Sequence, residues 1–190
     1  MTETLKYSVL EKTNGVELRQ YPEHILVQVN LTGKSYRKAI YQGFRPLADF
    51  IFGQNLPAEK ISMTSPVQVS QQTKIAMTSP VTVSGDGDYT VSFVMPAEYT
   101  LETLPKPKNP NVIIKKISAS TMAVIGFRGF FNRHKIAKAK KRLVKWMEKE
   151  GFQPVGEFVI AGYDPPWVPW FLAHNEVMVQ VKAVDEQAGD

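Results

Sequence analysis

The sequence predicts an α+β fold, and three observations support this. Short runs of β-branched and apolar residues alternate as strands do, and two longer segments carry apolar residues at helical spacing. The order strand, strand, helix, strand, strand occurs twice, on either side of a proline-rich connector at residues 104–110. Each half offers a sheet with one helix to cover it. We therefore expect a single domain over 1–190 with pseudo-twofold symmetry and halves at about 7–100 and 111–184.

The first half begins with two strands and a helix. Residues 16–19 and 25–29 are short, alternating or β-branched segments typical of strands. The spacing then predicts a helix over 35–52, with Ser35 as its N-cap and Pro46 as a bend or a restart point. Its apolar residues recur every three or four positions: Tyr36, Ile40, Phe44, Leu47 and Ile51.

An internal duplication follows this helix. Residues 60–70 read Lys-Ile-Ser-Met-Thr-Ser-Pro-Val-Gln-Val-Ser, and residues 74–84 repeat that pattern almost unchanged. The period is too short for a solenoid unit, so two strands flanking 71–73 are the simpler interpretation. Proline cannot donate to a ladder, which places each Ser-Pro at an edge or a bulge. Residues 89–95 predict a further strand.

The second half repeats the order of elements. A second helix is predicted over 132–150, capped by Asn132 and stopped by Gly151. Its buried stripe is Ile136, Ala139, Leu143 and Met147. Its strands are predicted at residues 112–117, 121–127, 155–163 and 175–184.

Composition and motifs exclude several classes of protein. The chain has no cysteine, which excludes disulfide scaffolds, thiol nucleophiles and sites built on thiolates. It carries no P-loop, dinucleotide fingerprint, GxSxG elbow or HExxH motif, and no metal-ligand spacing, so we expect neither a metal site nor a standard enzyme. No run approaches the roughly 18 apolar residues of a membrane span, and the N-terminus does not resemble a signal peptide. A cytoplasmic protein is the expectation.

The net charge of +5 is concentrated in the second predicted helix. Its basic residues are Arg133, Lys135, Lys138, Lys140, Lys141, Arg142, Lys145 and Lys149. Such a run is typical of a solvated helix face, and it also suits an acidic partner. Nucleic acid is not expected, because no aromatic residues are interleaved with the charges and no known motif is present.

Four short motifs, in order, carry a resemblance to a known family. They are Met63-Thr-Ser-Pro-Val67, Pro105-Lys-Pro107, Ala161-Gly-Tyr-Asp-Pro-Pro166 and Asn175-Glu-Val177. With these the chain resembles the SOUL haem-binding protein family, from about residue 7 to residue 182, and the duplicated motif is similar to its bacterial members. The resemblance implies two βαββ repeats forming a distorted, barrel-like antiparallel sheet with two helices, as in effector-binding domains of multidrug-responsive regulators. It also implies a flat apolar ligand such as haem or a porphyrin.

The chain departs from the family at four positions. A vertebrate member has a histidine where this chain has Gln20, and other members have basic groups where it has Tyr41, Asp49 and Val168. The resemblance therefore implies weak haem binding without strong axial ligation.

We expect the ligand in a pocket between the sheet and the first helix. The residues predicted to contact it are Tyr41, Phe44, Met63, Met77, Phe93, Met95, Phe127, Trp167, Trp170 and His174. Trp167 and Trp170 would form either the mouth of this pocket or a lid on the core.

Two alternatives to ligand binding stay open. One is a small hydrolase-like or tetrapyrrole-modifying enzyme that uses Glu176 as a buried base, although a glutamate bonded to strand backbone or to an arginine explains that residue as well. The other is an interaction module that uses the basic second helix.

Overall fold

The computed structural model describes residues 3–57, 60–61, 64–72, 87–129, 133–163, 169 and 172–183. The chain divides into two compact units. The first unit contains Met1–Leu5 and His24–Ile117, and the second contains Lys6–Glu23 and Ser118–Asp190.

Strands dominate the described residues, and two helices accompany them. In chain order the elements are β1 (Glu3–Thr4), β2 (Ser8–Thr13), β3 (Val16–Tyr21), β4 (His24–Lys34), α1 (Tyr36–Ile51), β5 (Asn55–Leu56), β6 (Thr64–Ser65), β7 (Val67–Gln72), β8 (Gly87–Val94), β9 (Lys106–Pro107), β10 (Ile113–Ile117), β11 (Ser120–Arg128), α2 (Arg133–Lys149), β12 (Phe152–Gly162) and β13 (His174–Ala183). The predicted α+β class and both predicted helices are confirmed, with helix ends within one residue of those expected.

In the first unit, α1 packs on an antiparallel sheet with the strand order β10, β4, β8, β7. The apolar stripe of α1 is buried, and it includes Ala39, Leu47, Phe50 and Ile51. Pro46 lies inside the helix, which continues through it to Ile51 rather than restarting. The predicted N-cap is correct in position, because Ser35 is extended and its carbonyl accepts from the Ala39 N–H at 2.9 Å.

Gly43 brings the backbone of α1 directly against the sheet. A Cβ atom at this position would lie 2.6 Å from Cγ2 of Val91 and 2.9 Å from Cδ1 of Leu31. Val91 is a fully buried, β-branched residue of β8 and its own Cβ would lie only 2.8 Å away, so rotating its side chain cannot relieve the clash. The helix and the sheet are therefore in contact here, without room for even one methyl group.

In the second unit, α2 packs on an antiparallel sheet with the strand order β12, β13, β11, β3, β2. The residues of α2 that are buried are Ile136, Ala139, Leu143, Trp146 and Met147. Trp146 stacks on Phe152 with ring centroids 5.6 Å apart. Phe152 is opposite Ala183 in the ladder, so α2 covers the face of β13 that carries Ala183 and every second residue before it.

Each unit contains one βαββ set, as the family resemblance implied. These sets are β4, α1, β7, β8 in the first unit and β11, α2, β12, β13 in the second. Each set is extended by strands from elsewhere in the chain. The strand predicted at 16–19 lies in the second unit, and the strand predicted at 112–117 lies in the first.

Some predicted features fall on residues that are not described. The second copy of the duplication, at 74–84, and the predicted cap Asn132 lie outside the described residues. The first copy forms β6 and β7 on either side of Pro66. Of the helices in the described part of the chain, none is long and apolar enough to cross a membrane.

Gly43→Ala should destabilise the protein although alanine favours helices. Overpacking a filled interface costs about 1–3 kcal/mol, while replacing a mid-helix glycine gains about 0.5–1 kcal/mol. We expect the free energy of unfolding to fall by about 1–2 kcal/mol, as measured by urea denaturation. The control is Gln42→Ala on the exposed face of the same helix, which should change stability by less than about 0.5 kcal/mol. An unchanged midpoint for Gly43→Ala would show that the interface is loose.

Candidate functional site

A buried ion pair lies on the face of the second unit's sheet opposite α2. Arg19 on β3 donates from Nη1 to Oε2 of Glu176 at 2.9 Å and from Nη2 to Oε1 at 2.8 Å. The two residues are only 5% and 3% exposed. Glu176 and Ala183 alternate to opposite faces of β13, which places the pair on the side that α2 leaves uncovered.

Further side chains surround the carboxylate of Glu176. The hydroxyl of Tyr163 donates to Oε2 at 2.5 Å, and Nε2 of His174 lies 3.2 Å from Oε1. The ring of Tyr163 is also 5.2 Å from the imidazole of His174. Gly126 is opposite Glu176 on β11, and a Cβ there would lie 3.3 Å from Cε1 of His174. The absence of a side chain at Gly126 thus leaves space for the imidazole.

The guanidinium of Arg19 is bonded on its other sides as well. Its Nε donates to Glu17 at 2.8 Å, and its Nη1 donates to the hydroxyl of Tyr21 at 3.1 Å. The ring of Tyr7 covers it at 4.1 Å from the ring centroid. Lys12 binds the other oxygen of Glu17 at 2.8 Å. We call these residues, with Glu176, Tyr163 and His174, the Arg19 cluster.

The protonation of this cluster follows from burial and pairing. Burial opposes the charge on Arg19, but hydrogen bonds to Glu176 and Tyr21 outweigh it and raise the pKa of the guanidinium. Burial, followed by the charge of Glu176, raises the pKa of the Tyr163 hydroxyl well above its usual value near 10. Burial likewise raises the pKa of Tyr21 to about 12, against the opposing hydrogen bond from Arg19.

These contacts limit the chemistry that Glu176 can perform. Its two oxygens already accept two bonds from a guanidinium and one from a tyrosine, so most of their hydrogen-bonding capacity is used. The glutamate bonded to an arginine, one of the two interpretations of the sequence, is the arrangement found. The sequence did not identify Arg19 and Tyr163 as partners of Glu176. Alternation along a strand predicts which face of the sheet a side chain occupies, but not which side chains of other strands lie next to it.

The other predicted contact residues are divided between the units. In the first unit, Phe44 meets Phe93 edge-on with ring centroids 5.1 Å apart, Met95 is buried, and Tyr41 is 77% exposed. Phe127 is in the second unit, on the face opposite Glu176, because it is paired with Asn175. The remaining four, Met63, Met77, Trp167 and Trp170, lie outside the described residues.

The outer face of α1 combines an aromatic ring with cations. Lys38 and Arg45 are exposed, as Tyr41 is, and they lie three residues before it and four residues after it. Residues at this spacing are neighbours on one helix face. Within the described part of the chain, no group of three or more histidine or carboxylate side chains could hold a metal ion.

Comparison with known proteins identifies the family. The model described as "SOUL heme-binding protein" matches residues 2–180. The chain belongs to the SOUL haem-binding family. It is similar to heme-binding protein 2 of Mus musculus, with 27% identity over 175 residues that cover 87% of this chain and 82% of the mouse protein. The same protein of Homo sapiens is 28% identical over 163 residues, which cover 85% of this chain and 75% of the human protein.

Solved structures resemble the SOUL fold seen here. The crystal structure of the EcmrR C-terminal domain matches with a TM-score of 0.70 and 15% identity, over 94% of this chain and 99% of that domain. At this identity the likeness concerns the fold alone. It supports the predicted α+β fold.

At the position where the sequence resemblance implied a family histidine, this SOUL protein has a bonded glutamine. Gln20 lies on β3, and its Oε1 accepts a hydrogen bond from Thr121 Oγ1 at 2.7 Å. The amide is therefore held by the neighbouring strand. Asp49, at another departure, is exposed on α1.

Removing one partner of the ion pair should be far more damaging than removing both. Arg19→Met leaves the carboxylate of Glu176 buried without its cation, so we expect the free energy of unfolding to fall by about 3–5 kcal/mol. The double variant with Glu176→Leu should recover most of that loss. Lys12→Met, which affects an exposed pair, should cost less than about 1 kcal/mol. Urea unfolding of the wild type, Arg19→Met, Glu176→Leu and the double variant completes the cycle, and equal losses in the single and double variants would contradict the prediction.

The buried tyrosines should make the protein sensitive to alkali. Well below pH 10, Tyr163 and Tyr21 are protonated in the folded and the unfolded chain, and their contribution to stability is fully present. Above pH 10 the unfolded chain releases protons that Tyr163 and Tyr21 retain when folded. Stability should then fall by about 1.4 kcal/mol per pH unit for each such tyrosine, and for Tyr21 this loss ends near pH 12.

The measurement is urea unfolding at several pH values between about 9 and 11.5, a range that spans the ordinary tyrosine pKa. Tyr163→Phe should reduce the slope above pH 10 by about 1.4 kcal/mol per pH unit, whatever it does to stability at neutral pH. Leu101→Ala, an exposed substitution that removes no ionisable group, is the control and should leave the slope unchanged. Identical slopes in the wild type and Tyr163→Phe would mean that Tyr163 ionises normally.

Proposed function

We propose that this SOUL protein binds haem or a similar flat tetrapyrrole on the outer face of α1. Family membership over residues 2–180 supports the ligand class. The main observation that supports this location of the ligand is the exposure of Tyr41, a large aromatic side chain in the middle of α1 that is 77% exposed. A tetrapyrrole offers a flat apolar face that an exposed ring can cover.

Charges beside Tyr41 suit the two carboxylates of haem. Lys38 and Arg45 are one turn away on either side of the ring, and both are exposed. A macrocycle stacked on Tyr41 would bring its propionates within reach of these cations. Phe44, which is half-buried beside Phe93, adds apolar surface at the edge of the same face.

The contact at Gly43 leads us to place the ligand outside α1 rather than beneath it. A Cβ atom there would already approach Val91 to 2.6 Å, so helix and sheet leave no slot for a macrocycle at that point. The side chains predicted to line an inner pocket, Phe93 and Met95, are almost completely buried in the first unit. They support α1 and its exposed ring instead of contacting the ligand.

The face fits the macrocycle better than it fits the iron. Lys38, Tyr41 and Arg45 supply no imidazole or thioether, and a Tyr41 ring stacked flat on the macrocycle cannot also direct its hydroxyl at the iron. Burying one large apolar side chain contributes roughly 1.5–3 kcal/mol, and each exposed ion pair about 0–1 kcal/mol. The loss of translational and rotational entropy on association opposes these two favourable contributions. Binding is therefore weak, and the iron receives no strong protein ligand at this face.

Titration with haemin, followed at the Soret band, tests this proposal. Wild-type protein should bind saturably, and Tyr41→Ala should weaken binding at least about tenfold, as loss of roughly 1.5–3 kcal/mol requires. Lys38→Gln with Arg45→Gln should weaken it a few-fold, and more at low salt than at high salt. Leu101→Ala, an exposed apolar residue elsewhere in the first unit, is the matched control.

Iron-free protoporphyrin separates stacking from ligation. It should bind with nearly the affinity of haemin, because the iron contributes little. A sharp six-coordinate haemin spectrum that His174→Ala abolishes would instead place the ligand at the Arg19 cluster. Unchanged affinity of Tyr41→Ala would remove α1 as the site.

A further inference from the structure

The outer face of α2 carries a dense row of cations that the fold does not use. With about 100° per residue, six basic side chains fall within an arc of roughly 120° that does not overlap the buried stripe. This basic row consists of Lys135, Lys138, Lys141, Arg142, Lys145 and Lys149, all of them exposed. It extends over about 21 Å of helix at 1.5 Å per residue.

Among the residues that the structure describes, few interactions neutralise this row. Lys135 and Arg142 donate to the backbone carbonyls of Arg128 and Asn14, and Lys149 contacts Glu150 at 3.2 Å. Carbonyl contacts leave the positive charge in place. Within α2 itself the sole carboxylate is that of Glu148, which lies at the margin of the arc. The row is therefore a strip of high positive potential.

The residue types in the row indicate what it can recognise. Five of the six are lysines, which act as mobile point charges, and only one has the planar fork that binds a carboxylate or phosphate bidentately. The row contains no aromatic ring for stacking on bases and no asparagine or glutamine for reading base edges. It suits an extended anionic surface without sequence or shape selectivity.

Carboxylates beside the basic row make a flat anionic surface a more suitable partner than the groove of a nucleic acid. Beside Arg142 is the β2–β3 hairpin, which carries Glu11, and beside the other flank is Glu157, near Lys140. A duplex with α2 in its major groove would press phosphates against both flanks, and thus against these carboxylates. A flat anionic surface would contact only the basic row and would not reach the carboxylates on either flank.

We propose that the basic row docks the protein on anionic lipid bilayers. Clusters of four to eight basic residues on an amphipathic helix bind anionic lipid, with about 1 kcal/mol for each lysine near the surface. The apolar stripe of α2 is buried against the sheet of its own unit, so the helix has no apolar face to insert. Docking is thus electrostatic adsorption, reversible and sensitive to salt, and independent of haem.

Sedimentation with lipid vesicles tests the docking. Full-length protein should bind vesicles of phosphatidylcholine containing about one third phosphatidylserine, and should not bind pure phosphatidylcholine. Binding should disappear as salt rises from about 0.1 M to about 1 M, where the screening length falls from about 10 Å to about 3 Å. Binding that survives high salt would indicate insertion and overturn the proposal.

A triple substitution identifies the surface responsible. Lys138→Gln, Lys141→Gln and Lys145→Gln together should weaken vesicle binding by about a hundredfold. They should leave the melting temperature within a few degrees, since exposed side chains contribute little to stability. The control removes the same charge from the first unit, at Lys106, Lys108 and Lys115, which are also exposed. Equal losses in both variants would mean that net charge alone drives binding, and would overturn the assignment.

Two further measurements keep the outcome decisive. If the glutamine variant folds poorly, arginine at the same three positions should restore both folding and vesicle binding. A short DNA duplex should bind more weakly than the anionic vesicles at the same salt. Tighter binding to the duplex, lost in the same glutamine variant, would reassign the row to nucleic acid.

Discussion

The ion pair between Arg19 and Glu176 constrains how β3 pairs in the sheet of the second unit. The two residues are 157 positions apart in sequence, and β3, which carries Arg19, enters this unit from the first half of the chain. α2 covers only one face of the sheet, so the opposite face needs another source of cohesion. A bidentate pair with bonded tyrosines supplies it, and it also penalises any register of β3 that leaves either charge unpaired. Apolar residues at these positions would stabilise the sheet without that selectivity.

The same pair determines where chemistry can occur. A buried carboxylate without a cation is a candidate base, because burial disfavours its charge. Glu176 does not lack a cation, because it is paired with Arg19. Tyr163 and His174 are held around its carboxylate by hydrogen bonds. The buried polar residues of this cluster thus serve the architecture, and we propose functions for the outer faces of the two helices instead.

Sequence patterns predicted local structure well and long-range pairing poorly. Both helices were predicted to within one residue at each end, because helical periodicity is a property of neighbouring residues. β2 was missed, since almost all of its residues are exposed and no alternation marks it. The exchange of β3 and β10 between the units was also missed, because the order of strands in a sheet leaves no local signal. For the candidate site, alternation indicated that Glu176 points inward. That its partner is Arg19 on β3 became clear only from the structure.

The two helices show how a common framework can carry different surfaces. Each uses one apolar stripe to pack on its own sheet, so stability constrains that stripe in both. The outer residues are not constrained in this way, and they differ: α1 presents Tyr41 between Lys38 and Arg45, whereas α2 presents almost uninterrupted positive charge. An exposed tyrosine gains nothing for folding while it faces water, and like charges along a helix repel each other. Neither surface is explained by the stability of the fold, and for this reason we assign the functions of the protein to them.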